Sequence, residues 1–163
     1  MDHRHRPTSR RSLRSPHEIA APTHFEWTRQ SGIGPDLAIL GELQEQTVVE
    51  VGCGSGHNLA HLVTHHGAIG IGVDHDAEKI TRARLAYSHL PRIRFTLADA
   101  VDHLASTKQA SIDICLSIFG AFSFADPTSL LIAASRAIRP GGLLAITLRV
   151  DDYHDNVIVL RRR

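Results

Sequence analysis

The stretch Thr47 to Leu62, TVVEVGCGSGHNLAHL, constrains this chain more than any other. An apolar run (Val48, Val49, Val51) leads into three glycines at alternate positions, Gly52, Gly54 and Gly56, and then into residues with helical spacing. Strand, glycine turn and helix in succession form the entry to a nucleotide-type pocket in doubly wound α/β folds. Glycine is required there because a Cβ obstructs both positive φ angles and the close approach of a ligand. The unpaired N–H groups that open the helix then face that ligand.

The rest of the chain repeats the alternation. After the first strand, Thr47–Val51, helical and apolar runs predict strands at Ala68–Val73, Arg92–Leu97, Ser111–Ile118 and Leu143–Val150. Helices are expected from about Gly56 to His66, from Ala77 to His89 with Asp76 as cap, near Ala100–Ser106, and from the capping pair Asp126-Pro127 to Arg139-Pro140-Gly141-Gly142. Serial βα units imply a doubly wound, mainly parallel sheet with right-handed crossovers and helices on both faces. Val, Ile and Leu fill the first, second and fourth strands, as expected of strands covered on both sides. A ligand belongs at the carboxyl ends of the first four strands, near the switch point between the first and the fourth.

Upstream, residues 1–15 hold five arginines and few apolar residues, which predicts a disordered basic arm. Residues 16–163 then make a single domain. Ser15-Pro16-His17-Glu18 has the pattern of a helix start, and Asp36 to Leu43 that of a short helix. Phe25 and Trp27 lie outside the sheet pattern and read either as a lid on the ligand space or as a hydrophobic plug pinning this segment to the core.

Net charge is +1 over 163 residues, which makes no bulk electrostatic case for nucleic acid or membrane. Nothing approaches a membrane-spanning apolar run. The two cysteines, Cys53 and Cys115, fall at interior positions and read as free thiols in a reducing compartment, so a cytoplasmic location is expected. His61, His65 and His66 share a helix but have no accompanying metal-ligand set, so no metal is expected and a solvated helix face is the reading.

The glycine spacing identifies the ligand class. A dinucleotide fingerprint needs G-x-G-x-x-G, but the sixth position from Gly52 is His57 and from Gly54 is Leu59. The pattern E-x-G-x-G-x-G, from Glu50 to Gly56, resembles motif I of the class I S-adenosylmethionine-dependent methyltransferases. Later segments are similar to that family's further motifs: Gly72-Val73-Asp74, Leu97-Ala98-Asp99-Ala100, Ile112–Phe122 and Arg136–Thr147. The resemblance covers about residues 47–149 and implies a Rossmann-like core with strand order 3-2-1-4-5.

It further implies S-adenosyl-L-methionine as cofactor, bound by Glu50, Gly52, Cys53, Gly54, Gly56, Asp74, His75, Asp99, Ala100 and Ser117. Asp74 would accept the ribose hydroxyls, His75 would pack on the adenine face, and Asp99 with the Ala100 N–H would read the adenine edge. Both aspartates also suit plain helix caps. Glu50, flanked by apolar residues in a strand, is costly to bury unpaired and is expected to contact the cofactor.

Methyl transfer to a small-molecule acceptor is the activity implied. No catalytic residue is assigned, and the exit Ser117-Ile118-Phe119-Gly120 lacks the (D/N/S)-P-P-(Y/F) pattern of relatives that methylate nucleic-acid amino groups. Two alternatives remain: a non-catalytic or incomplete S-adenosylmethionine-binding protein, and an NAD-dependent oxidoreductase. Only thirteen residues follow Val150, less than the family's usual C-terminal strand pair, and Asn156–Leu160 supplies at most one short strand. The exposed edge of the fifth strand is then expected to be covered by the tail or by a second chain, as in a homodimer.

Overall fold

Where apolar runs alternate with helical spacing, the computed structural model, which describes residues 17–152 and 154–163, has strands and helices in alternation. In chain order these are β1 (Thr47–Val51), α1 (His57–His66), β2 (Ile69–Asp74), α2 (Ala77–Tyr87), β3 (Ile93–Leu97), α3 (Ala100–Ser106), β4 (Ile112–Ile118), α4 (Pro127–Ala137), β5 (Ile138–Arg149) and β6 (Asp155–Arg161). One six-stranded sheet has the order β3-β2-β1-β4-β5-β6. Every pairing is parallel except β5 with β6. The expected doubly wound order is therefore present and extended by one antiparallel strand.

Alternate side chains of the central strands enter two separate cores. On one face Val48, Ile114 and Leu116 pack with Leu59 and Leu62 of α1 and Ile80, Ala83 and Tyr87 of α2. On the other, Val49, Val51 and Cys115 pack with Leu104 of α3 and Leu130 and Ala134 of α4. Each such aliphatic side chain removed from water stabilises the fold by about 1.5–3 kcal/mol before conformational entropy is set against it.

The helix starts follow local chemistry. Asp76 accepts the N–H groups of Glu78 and Lys79, Asp99 those of Val101 and Asp102, and Asp126 that of Ser129, with Pro127 opening α4. Helix α1 instead starts and stops at left-handed glycines, Gly56 (φ 77°) and Gly67 (φ 70°).

Three expectations change. Residues 1–15 and the Ser15-Pro16 cap lie outside the described residues, and from His17 to Asp36 the chain forms turns rather than a helix. The helix expected from Asp36 to Leu43 is one 3-10 turn, Leu37–Leu40, stopped by Gly41 at φ 78°. Helix α4 ends at Ala137, not at the Pro-Gly-Gly, and β5 begins at Ile138. Ile138 pairs with Ile112, but Ile114 pairs with Leu143, so Arg139–Gly142 is extra chain bulging from the ladder. A Cβ at Gly142 would collide with Ile138 and with the Asp113 carbonyl, and that crowding requires the glycine. The Asp113 carboxylate holds the bulge by pairing with Arg139 and accepting the Thr47 N–H.

The edge of β5 is covered by β6 over seven paired positions, Leu143↔Arg161 to Arg149↔Asp155. The tail thus takes the place considered for a second chain. The N-terminal segment is pinned across the first face. Asn58 of α1 accepts the Glu26 N–H and donates to its carbonyl, while Arg29 binds the Asp155 carboxylate at the start of β6. Trp27 is buried in that core with Phe25 edge-on at 4.8 Å, which makes it the plug. Among the described residues no helix is long and apolar enough to cross a membrane.

Candidate functional site

A cavity of about 300 Å³ opens at the carboxyl ends of β1 to β4. Its walls include Gly52 after β1, Val73, Asp74 and His75 at β2, Ala98, Asp99 and Ala100 after β3, and Phe119, Gly120 and Ala121 after β4. This is the predicted switch-point position, and the volume lies at the small end of the range for small-molecule sites.

Two glycines make the approach of β1 and β4 possible. Gly52 has φ 77°, and a Cβ on it would collide with the backbone of Gly120 and Ala121; a Cβ on Gly120 would in turn meet the Val51 carbonyl. The loop is closed by its own main chain: Gly52 and Cys53 donate to the Val73 carbonyl at 2.7 and 3.0 Å. Asp74 completes it. Its Oδ2 accepts the Gly54 N–H at 2.8 Å and its Oδ1 accepts that of Asp76 at 2.9 Å, leaving each oxygen a further lone pair beside the cavity.

Asp99 uses Oδ1 alone to cap α3, from Val101 at 2.8 Å and Asp102 at 3.0 Å. Its Oδ2 takes part in neither bond, and neither does the Ala100 N–H at the first helical position. The cap and the cavity wall are one residue, so the two roles weighed for Asp99 do not compete.

Of the ten residues expected at the site, Gly52, Asp74, His75, Asp99 and Ala100 line the cavity. The other five support it from beneath. Cys53 is buried in the first-face core, where burial and the nearby Glu50 and Asp74 raise its thiol pKa. Gly54 (φ 55°) would meet no atom with a Cβ, so only its backbone conformation asks for glycine. Gly56 stands against the Phe95 ring with no room for a side chain. Ser117 is buried and its Oγ accepts the Phe122 N–H at 3.2 Å, fixing the turn after β4.

Glu50 is 3% exposed and its Oε2 has no partner among the described residues. Burial first, and the Asp74 charge second, push its pKa from 4.5 to about 8, so the side chain is mainly the neutral acid at pH 7.

Sequence reasoning missed Lys79, Phe119, Phe124 and Ala125, which also border the cavity. Phe124 is 82% exposed, an unusual placement for an aromatic ring in the absence of a contact. Phe119 has φ 48°, a left-handed conformation that costs a non-glycine residue about 1 kcal/mol or more. The Phe-Gly pair after β4 was the available signal for that turn. Lys79 carried none, since a lysine in a helical first turn looks like any solvated one.

The histidines depart from expectation. His61 is only 6% exposed, with Nδ1 2.9 Å from the Pro22 carbonyl and Nε2 3.3 Å from His66 Nε2. The N-terminal segment covers this part of α1, and burial lowers the His61 pKa. His65 remains exposed. His57, the first residue of α1, has its Nδ1 2.6 Å from the Tyr87 hydroxyl oxygen. No group able to hold a metal ion is present among the described residues.

Comparison with known proteins agrees with this geometry. A family model described as a methyltransferase domain matches residues 49–146, from β1 into β5. The chain belongs to this family. As a class I S-adenosylmethionine-dependent methyltransferase domain it shares 31% identity over 119 residues with the ubiquinone biosynthesis O-methyltransferase of Hydrogenovibrio crunogenus, covering 72% of this chain and 48% of that protein. A trans-aconitate 2-methyltransferase of an Azoarcus species is 36% identical over 103 residues, covering 63% of this chain and 38% of that one. The chain thus spans less than half the length of these curated relatives. The fold is shared with phosphoethanolamine N-methyltransferase 2 of Haemonchus contortus, solved with phosphomonomethylethanolamine and S-adenosylhomocysteine, at TM-score 0.62 and 23% identity over 68% of this chain and 26% of that one.

Proposed function

We propose that this methyltransferase domain binds S-adenosyl-L-methionine in the β1–β4 cavity and transfers its methyl group to a small-molecule acceptor. The observation that carries the reading is the pairing of Asp74 and Asp99 across one cavity at successive strand ends, with Gly52 between β1 and the turn after β4. Carboxylate oxygens with spare lone pairs suit ribose hydroxyls at Asp74 and the adenine amino group at Asp99, with the Ala100 N–H toward a ring nitrogen. His75 and Phe119 supply faces for the base. Glu50, Cys53, Gly54, Gly56 and Ser117 hold the loop and turn in place, and a cationic neighbour would draw the unpartnered buried Glu50 carboxyl back toward its ionised form.

When bound, the cofactor supplies an electrophilic methyl group on a sulfonium that leaves as a neutral thioether. The chain's share of catalysis is then alignment and exclusion of water, worth up to about 7–11 kcal/mol when reactants are held in near-attack geometry. A protein base is not required, in keeping with the absence of a titratable side chain other than Asp74, His75, Lys79 and Asp99 among the residues lining the cavity. The named relatives act on small molecules, and the exit of β4 lacks the amino-methylating motif, both of which support a metabolite over a nucleic-acid base. A second reading is a cofactor-binding protein without turnover of its own, since no residue lining the cavity is assigned to catalysis.

Calorimetry tests the cofactor. Heat is expected with S-adenosylmethionine and none with NAD, and Asp74→Ala should weaken binding roughly tenfold to a hundredfold, the worth of one charge-assisted hydrogen bond. Unchanged affinity in that variant overturns the assignment. Release of S-adenosylhomocysteine during incubation with a metabolite library separates the two readings: production identifies an enzyme, and silence with binding intact favours the second.

A further inference from the structure

Two carboxyl groups are buried close together beneath the glycine loop. Glu50 is 3% and Asp74 5% exposed, and the Asp74 charge acts on Glu50. They are unequally served. Each Asp74 oxygen accepts one N–H, from Gly54 and from Asp76, whereas Glu50 Oε2 has no partner among the described residues.

The surroundings of Glu50 account for this. It shares the first face with Val48 and is flanked in the sheet by Gly72 of β2 and Leu116 of β4. Gly72 brings no side chain. The space over it holds the Phe95 ring and the Cys53 Sγ, 2.6 and 2.8 Å from where a Cβ would stand. The Cys53 thiol points to the Gly54 carbonyl at 3.7 Å. Leucine, ring and sulfur therefore offer the carboxyl no donor.

Nor does a charge on the neighbouring elements compensate it. On β2 there is Asp74, with the exposed His75 ring 3.9 Å beyond it. On α1, His57 is bonded to the Tyr87 hydroxyl of α2. Also on α2, Arg84 donates to the Phe95 carbonyl, and the Lys79 charge acts on Cys53 and Asp76. In the N-terminal segment, Glu26 is engaged by Ser31 and Gly32. Of these groups only Asp74 adds to the effect of burial on Glu50, and both keep its proton on: the pKa is about 8.

That proton is poised to leave when a positive charge arrives. Gly52, two residues after Glu50, lines the cavity, and so does Asp74. A cation held there comes beside the acid pair. S-adenosylmethionine brings an ammonium and a sulfonium against a single carboxylate. An opposite charge within about 4–6 Å lowers a carboxyl pKa by about 1–3, which takes Glu50 from about 8 to roughly 5–7. The Glu50 O–H bond then breaks, its electron pair stays on the carboxylate, and the proton passes to buffer.

Resting on the cofactor reading above, we propose that Glu50 is a charge-compensating acid that gives up its proton as S-adenosylmethionine binds, so that the site exchanges H⁺ for a cation and tightens as pH rises.

Calorimetry at pH 7 in buffers of different ionisation enthalpy counts the proton. Glu50 is about 0.9 protonated beforehand, so the wild type should release about 0.4–0.9 proton per S-adenosylmethionine bound. Glu50→Gln keeps the size of the side chain but has no proton to lose, and its count should be lower by that amount. Groups common to both proteins, His75 and Lys79 among them, cancel in the difference. Relative to this variant, wild-type affinity should rise with pH by up to tenfold per pH unit below about pH 8. A ligand series needs no variant. 5′-Methylthioadenosine lacks both cations and should bind the wild type without the release. S-adenosylhomocysteine keeps only the ammonium: release with it assigns the exchange to the ammonium, and release with S-adenosylmethionine alone assigns it to the sulfonium. No heat with S-adenosylmethionine overturns the cofactor reading itself. Binding with equal proton counts in wild type and Glu50→Gln, or equal release with 5′-methylthioadenosine, overturns the exchange alone.

Discussion

At the scale of the residue, the loop shows how one motif divides into several physical tasks. Gly52 is small because another backbone lies against it, Gly56 because a ring does, and Gly54 only because its φ is positive. In sequence these are three identical letters two apart. Glu50 ties the stability of the fold to pH. Its pKa is about 8 in the folded chain against 4.5 for a solvated carboxyl, so between those values the folded state keeps a proton that the unfolded state has released. Bound protons are then fewer in the unfolded chain, and stability falls as pH rises through that window. Glu50→Gln, which cannot ionise, should match the wild type near pH 5 and exceed it near pH 8 in urea midpoint. A gap between the two that does not widen with pH would show that Glu50 is already ionised in the folded chain.

Among the elements, those specified by local signals appear where the sequence places them. Asp76, Asp99 and Asp126 each cap a helix, and α3 has the expected bounds, because a cap is a contact between residues two or three apart. Elements determined by distant partners were legible only in part. The bulge at Arg139–Gly142 belongs to β5 because Ile112 and Asp113 of β4 hold it, although Pro-Gly-Gly by itself reads as a break. The N-terminal segment lacks regular structure and is positioned by three side chains: Asn58, Trp27 and Arg29. The Arg29 contact holds the Asp155 carboxyl below its usual range, its hydrogen bond being the largest cause. Arg29→Ala should leave the melting temperature of the sheet nearly unchanged, since Arg29 is at the surface. It should still free the strap locally, so that chymotrypsin cuts faster after Phe25 and Trp27. An unaltered cleavage rate would mean that Trp27 burial alone pins the segment.

For the whole molecule, the arrangement places strand ends beneath a cavity whose rim, Phe119 to Ala125, is a short segment with one 3-10 turn at Ala121–Ser123. Binding there should stabilise the fold by mass action. At a ligand concentration a hundred times the dissociation constant the gain is about 2.7 kcal/mol, which for a chain of this size raises the melting temperature by roughly 5–11 °C. S-adenosylmethionine should produce that shift in a thermal melt and NAD should not. A shift of equal size with both ligands would count against the glycine-spacing argument.

Sequence by itself determined the alternation of strands and helices, the glycine loop and the acids at the next two strand ends, because each depends on hydrophobic period, positive φ or a fixed spacing along the chain, whereas the core strand order came only from the family resemblance. It also carried the family resemblance that the match over residues 49–146 bears out. Tertiary structure decided which motif residues face the cavity and which support it. It also brought Lys79 and Phe124 to the rim, buried His61 under the N-terminal strap, and closed β5 with β6. Those outcomes depend on contacts between residues tens of positions apart, and no local pattern records them.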